Sequence, residues 1–301
     1  MRRIILGTFF LTSAIALAQT PATPPPSQPP AATPASSASE SNVVYGVVDG
    51  TKLLLDVYRP ATGKPPYPAV ILIHGGGWSA FDKSTMAGMG RLLAHYGFVA
   101  FAIDYRLLSG PKNLWPAQLD DAQRAVRWVR ANAKKYDVDP AHIGAFGHSA
   151  GAQMAALLGE LDTRDNSDPA LAAYSSKVQA VVDVDGPTDF TIVRDPEDLP
   201  FLAHLFGGSQ EQKPNVWKSA SPALNVTRET APFLIFHGTQ DHEVDITQAE
   251  ELVAALEKDG VPVTFFKVDD VHTYQTQAAR RQLALETVAF FDKTLKPAAA
   301  K

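Results

Sequence analysis

The sequence predicts an α/β protein built on a doubly wound, mostly parallel sheet with helices on both faces. Two observations predict it. Short continuous runs of Val, Ile, Leu, Ala and Phe recur at 69–73, 98–103, 143–146, 178–184, 233–236 and 263–268. Runs without polar alternation are strands covered on both faces, as in parallel sheets. Between them lie stretches of helical period, and strands alternating with helices build an open α/β sheet.

The elements follow in chain order. Arg2 and Arg3 precede an apolar run at 4–17, and Ala16, Leu17 and Ala18 put small residues where a signal peptidase cleaves. Residues 1–18 therefore read as a secretory signal, and the expected location is periplasmic or secreted. The run falls short of the ~20 apolar residues of a spanning helix, so no stable membrane insertion is expected. Residues 19–41 are dominated by Pro, Ala, Ser and Thr, a composition that builds a spacer and not a core. Loss of Arg2 and Arg3 takes the formal charge from −5 to −7, a surface that disfavours nucleic acid and anionic membranes. With no cysteine in the chain, disulfides and a thiol nucleophile are excluded.

The folded domain is expected to span 42–296, leaving 297–301 as a tail. Alternating segments at 43–48 and 53–58 predict an antiparallel pair at a sheet edge. The clearest helix runs from 116 to 134, where Leu119, Ala122, Val126, Val129 and Ala133 recur at spacings of 3 and 4. Pro116 suits its first turn, and Asp120 and Asp121 its positive end. Further helices are expected at 247–258, closed by Gly260, and at 277–294 before Pro297. The stretch 186–230 is too long for a simple connection and predicts short helices over a pocket. Phe201, Leu202, Leu205, Phe206 and Trp217 are its apolar candidates for pocket walls or ordinary packing.

Ligands in such sheets bind at the carboxyl ends of the strands, and the reactive residue types cluster there. Directly after the strand at 143–146 stands Gly147-His148-Ser149-Ala150-Gly151, then a helical stretch. This is G-x-S-x-G in a strand–turn–helix setting, which lifts a serine hydroxyl to a helix N-terminus. Ser149 is thus the candidate nucleophile. The strand at 69–73 runs into His74-Gly75-Gly76-Gly77-Trp78. Three glycines let the backbone approach a ligand, so the N–H groups of Gly76, Gly77 and Ala150 are candidate oxyanion donors. A phosphate loop would need a following lysine and hydroxyl residue, which are missing. Trp78 and His148 are candidate substrate contacts, and His74 is expected to brace the loop.

Two further strand ends complete the set. Asp241 follows the strand at 233–236, and His272 follows that at 263–268. A serine hydroxyl is a weak nucleophile until an imidazole takes its proton, and a carboxylate fixes that imidazole. Asp241 and His272 are therefore the candidate acid and base. Asp245, Asp269 and Asp270 compete for the first role, His237 and His242 for the second. Asp241, His242, Glu243 and Asp245 lack metal-ligand spacing, so no metal and no cofactor are expected.

The segments DVYRPA, YPAVILIHGGGWSAFDKS, GFVAFAIDYRL, WPAQLDDAQRAVRWVRANAKKYDVDPAHIGAFGHSAGAQMAALLG and PFLIFHGTQDHEV resemble bacterial α/β-hydrolase esterases. The nearest resemblance is to the feruloyl and acetyl (xylan) esterases of decorated plant polysaccharides; hormone-sensitive-lipase-like carboxylesterases are more distant. It runs from Tyr45 to Phe291. It implies the α/β-hydrolase fold with about eight strands, a catalytic triad of Ser149, Asp241 and His272, and the oxyanion donors named above. The expected substrate is a small-molecule or polysaccharide-linked ester carrying a short-chain or feruloyl group. The chain departs from the family pattern at Ala152-Gln153, at Asp245 and in the DVHTY segment at His272. Asp104-Tyr105-Arg106 is expected to be scaffolding. A serine peptidase or amidase of the same fold and a non-catalytic binding protein on this scaffold are the alternatives.

Overall fold

The computed structural model describes residues 39–162 and 168–296. Residues 1–18, expected to be a secretory signal, most of the expected spacer and the tail 297–301 lie outside them. Eight strands form one sheet: β1 (Glu40–Val48), β2 (Thr51–Tyr58), β3 (Tyr67–Ile73), β4 (Val99–Ile103), β5 (Val138–His148), β6 (Ala180–Val184), β7 (Phe233–Gly238) and β8 (Val263–Val268), in the order β1-β2-β4-β3-β5-β6-β7-β8. The pairs β1–β2 and β2–β4 are antiparallel, and the remaining pairs are parallel. The helices are α1 (Ala87–His95), α2 (Ala117–Ala131), α3 (Ala133–Tyr136), α4 (Ala150–Glu160), α5 (Leu199–Leu205), α6 (Pro214–Ser219), α7 (Thr247–Lys258) and α8 (Gln277–Leu295). Among the described residues no helix is long and apolar enough to cross a membrane.

The period-2 geometry of the central strands divides the core into two layers. On one face Ala69, Ile71 and Ile73 of β3 and Phe101 of β4 pack with Val126 of α2, Met154 of α4 and Leu252 of α7. On the other, Val70 and Leu72 join Leu93 of α1 and Phe291 of α8. The central strands are buried on both sides, which is why they read as unbroken apolar runs.

Two boundaries, one helix and the setting of one strand differ from what the sequence predicts. β1 reaches back to Glu40, into the stretch read as spacer. The long helix stops at Ala131; after Asn132 the chain makes the separate turn α3. α1 carries Gly88 and Gly90, poor helix formers that mask its period, and forms because Leu93 reaches the core. The apolar run of β8 predicts a strand covered on both faces, but β8 is an edge strand with Thr264 and Lys267 exposed. Edge position explains those two polar residues inside an apolar run.

Candidate active site

The nucleophile turn is fixed by close approach. β5 ends at His148 and α4 begins at Ala150, leaving Ser149 between them at φ 55°, ψ −124°. This is a strained conformation for a residue with a side chain, of the kind that persists at functional sites. A Cβ on Gly147 would stand 2.1 Å from the Gly151 carbonyl oxygen, and one on Gly151 would stand 2.2 Å from that of Ile73. Only glycine fits either position. The Ser149 N–H donates to the Val184 carbonyl at 2.8 Å, tying the turn to the end of β6.

Gly76 and Gly77 take φ values of +104° and +54° in the loop after β3. The Gly76 carbonyl accepts from the N–H groups of Ser79 and Ala80, both at 3.0 Å, so the loop curls into a tight turn. Gly77 faces open space. Below it the buried His74 ring donates from Nδ1 to the Gly75 carbonyl at 2.7 Å and stacks on Tyr105 with centroids 4.3 Å apart. Tyr105 donates its hydroxyl to the carbonyls of His74 and Gly75. Arg106 grips the buried Asp121 with two nitrogens, and Asp104 accepts the Lys83 N–H. Tyr105 thus braces the glycine loop, while Asp104 and Arg106 tie the segment to Lys83 and to α2, and none of the three lines either cavity. Burial lowers the His74 pKa, partly offset by its bond to the Gly75 carbonyl.

The acid and base meet across two strand ends. His272 donates from Nδ1 to Asp241 Oδ2 at 2.7 Å. Asp241 Oδ1 accepts the N–H groups of Glu243 and Val244 at 2.8 and 2.9 Å, and His237 Nε2 lies 3.4 Å from Oδ2. Burial alone would raise the Asp241 pKa; hydrogen bonds from His237, His272 and Val244 hold it well below the usual carboxylate range. Burial opposes charge on His272 too, but the Asp241 bond and charge raise its pKa overall, with Asp185 and Glu243 adding. A carboxylate only accepts, so the proton on His272 sits on Nδ1 and leaves Nε2 free to accept another. His148 Nε2 donates to the His272 carbonyl at 2.9 Å, with the two rings 5.0 Å apart. The residue before Ser149 is therefore tied to the residue that would deprotonate it.

Ser149 lies where two cavities meet. One, of about 870 Å³, is lined by Ser149, His272 and the apolar side chains of Phe81, Met86, Met89, Phe146 and Leu283. The other, of about 620 Å³, is lined by Ser149, Asp241, Trp78, Phe190, Phe201 and several carboxylates. Trp78 both packs and faces this space: its Nε1 donates to Gln153 Oε1 at 3.1 Å, and its ring stacks on Phe201. The apolar candidates from 186–230 divide accordingly. Phe201 and Leu202 line the second cavity, whereas Leu205, Phe206 and Trp217 are buried in the core.

The competing candidates have other partners, apart from His242, which lines the second cavity. Asp270 accepts from the N–H groups of Val271, Gln275 and Thr276 and shapes the histidine loop. Asp245 caps Thr247 at the start of α7, and Asp269 accepts from Gln240. His237 is buried and donates to the Val244 carbonyl. Among the described residues, the groups able to hold a metal are His148–Asp185–His272 and Asp185–His237–Asp241, not the run from Asp241 to Asp245. Two residues escaped the sequence reading. Asp185 is fully buried just past β6, where the strand-end rule would have flagged it. Glu243 lines both cavities, with Oε2 3.8 Å from His272 Nε2.

An eight-stranded, mostly parallel sheet whose strand-end serine lines one cavity with an aspartate-bound histidine defines the α/β-hydrolase fold. Within that class, residues 55–256 match the BD-FAE family model, and the chain belongs to that family. It is 32% identical to Esterase LipQ of Mycobacterium tuberculosis, over 84% of this chain and 62% of that protein. It is 28% identical to the probable isoprenylcysteine alpha-carbonyl methylesterase ICMEL1 of Oryza sativa, over 76% of this chain and 55% of that one. The chain thus spans somewhat over half the length of the curated relatives it matches. A truncated carbohydrate esterase from gut microbiota superposes with a TM-score of 0.72 at 29% identity, covering 85% of this chain and 96% of that one. Propionate-bound esterase 2 of Thermogutta terrifontis gives 0.73 at 25% identity, covering 89% and 98%.

Proposed function

We propose that the chain is a serine carboxylic-ester hydrolase working through an acyl-enzyme. The observation that carries this is the 2.7 Å bond from His272 Nδ1 to buried Asp241, with His272 and Ser149 lining one cavity beside the glycine loop. In the first step Ser149 Oγ attacks the ester carbonyl carbon and its proton passes to His272 Nε2. The carbonyl oxygen becomes negative and takes hydrogen bonds from the N–H groups of Gly76, Gly77 and Ala150. Collapse breaks the bond to the alcohol oxygen, which leaves with the His272 proton. Water then adds to the acyl carbon, giving one proton to His272. That proton returns to Ser149 Oγ as the carboxylic acid departs. The residues require no cofactor for these steps.

The relatives named esterases support the class of reaction, and the carbohydrate esterase neighbour supports a carbohydrate-linked ester. The stacked Trp78 and Phe201 rings suit a sugar face or a feruloyl ring. We further propose export, on the leader-like residues 1–18; retention of the leader on cell-associated protein, read by N-terminal sequencing, would refute it. The test of the reaction is p-nitrophenol release from p-nitrophenyl acetate by the wild type and by Ser149→Ala. We expect loss of about 10⁴-fold or more in kcat, as for a removed nucleophile. Equal turnover by the variant would defeat the assignment. Acetate and ferulate release from acetylated and feruloylated xylans decides the acyl group, and intact peptide amides in the same assay separate esterase from peptidase.

A further inference from the structure

Asp185 is an acid that the chemistry above does not use, and its surroundings ask for a reason. It follows β6 at φ 54° and is fully buried. Its N–H donates to the Phe236 carbonyl at 2.9 Å, and the residue before it accepts the Ser149 N–H. Oδ1 accepts the Gly238 N–H at 2.8 Å and faces the Tyr274 hydroxyl at 3.4 Å. Oδ2 has no hydrogen-bond partner and lies 3.8 Å from His148 Nε2. An orphaned carboxylate oxygen in the interior is costly.

The groups around it come from every neighbouring element. β5 contributes His148, β6 contributes Asp183, and the β7 end contributes His237 and Asp241. The loop after β8 contributes His272 and Tyr274, and α8 contributes Arg280, which donates to the Tyr274 carbonyl. One ligating atom each of His148, Asp185 and His272 falls within a 4.8 Å group, as does one each of Asp185, His237 and Asp241. Asp185 is thus shared by the imidazole that holds the His272 main chain and by the acid–base pair itself.

We infer that Asp185 is a positioning residue for the base, a second buried carboxylate that steadies the positive charge His272 gains on taking the Ser149 proton. The inference rests on the reading of His272 as base. Burial pushes the Asp185 carboxyl up to about 7, and the charge that His272 gains pulls against that rise. Two such neighbours titrate as a coupled pair. Removing a nearby negative charge makes an imidazolium less stable and lowers its pKa.

The test is the pH profile of kcat/KM on p-nitrophenyl acetate for the wild type, Asp185→Asn and Asp185→Glu. Asp185→Asn is expected to move the acidic limb to lower pH by roughly half to one unit and to cut kcat about tenfold. Because the group is buried, the shift should persist in high salt. Asp185→Glu should restore the limb in part. A limb that stays in place while the rate falls uniformly would overturn the proposal and leave Asp185 a merely structural residue. Imidazole ¹⁵N titration of His272 in the wild-type protein covers the case in which the variants do not fold. Two coupled steps are expected, and a single step overturns the proposal. The titration needs no turnover, so an inactive wild type would sink the esterase reading while this coupling could still be measured.

Discussion

Among the described residues, the two cavities that meet at Ser149 share only Gly77, Ser149 and Glu243, and they are built from different parts of the fold. The larger is walled by Met89 of α1 and Leu283 of α8, helices that also carry the core on that face. The smaller is walled by the insertion after β6 and by the loop after Asp241. There Asp189, Asp195, Asp198 and Asp245 line the space with Arg194, the one Lys or Arg among its described lining residues, beside Trp78, Phe190 and Phe201. An ester has two halves of unlike chemistry, and a nucleophile between an apolar and a polar aromatic space can sort them. The difference also separates two kinds of constraint. A change in the apolar wall disturbs packing as well as binding, whereas the exposed, cavity-lining part of the insertion, unlike its core residues Leu205, Phe206 and Trp217, varies at little cost to the sheet.

The largest expected effect should ignore the difference between the cavities. Asp241→Asn leaves the shape of the site while removing the carboxylate that fixes the His272 tautomer. We expect kcat to fall about 10³- to 10⁴-fold for every ester, with little change in KM. Kinetics on p-nitrophenyl acetate and methyl ferulate check this. A loss confined to one substrate would mean that the cavities do not share one catalytic centre.

The next prediction should split them. Met89→Trp fills the apolar cavity and is expected to lower kcat/KM about tenfold for esters with long alkyl chains, leaving acetate esters nearly unchanged. Phe201→Ala removes a half-exposed ring from the opposite wall. It should weaken methyl ferulate severalfold and spare the alkyl esters. A matched pair of kcat/KM series decides the matter. If both variants lower the same substrates, the two spaces act as one pocket.

Much of this contrast was legible from the sequence at the level of the frame. The buried strands announce themselves because both faces need apolar side chains, and the helix Thr247–Lys258 closes where its Gly260 signal stands. The elbow and the glycine loop were legible because close backbone approach leaves glycine as the only fit at Gly147 and Gly151. Long-range contacts were not legible. Nothing local to Asp185 reveals that it folds against His148, Tyr274 and Gly238. Phe201 and Phe206 belong to the same residue type, five positions apart, yet one faces a cavity and the other the core. Phe201 lies within α5, whereas Phe206 stands one residue past its end and packs on Phe190 and Trp217, long-range contacts with no local signal.

Glu243 gives the smallest effect and the finest probe of the shared rim. Its carboxylate lies 3.8 Å from His272 Nε2 but is 72% exposed, so water and salt screen it. A base must be neutral to act, so kcat/KM rises as pH rises through the His272 pKa, which this structure raises above its ordinary value. Glu243 contributes to that rise. In Glu243→Gln the imidazolium loses a nearby negative charge and gives up its proton at lower pH. The acidic limb should therefore move downward by a few tenths of a pH unit at low salt, and by less at high salt. The shift should be equal for alkyl and aromatic esters, because Glu243 borders both cavities and acts on the one imidazole that serves them. A shift toward higher pH would break the electrostatic account. A shift seen with only one ester would mean that Glu243 touches that substrate directly, and that the rim belongs to one cavity alone.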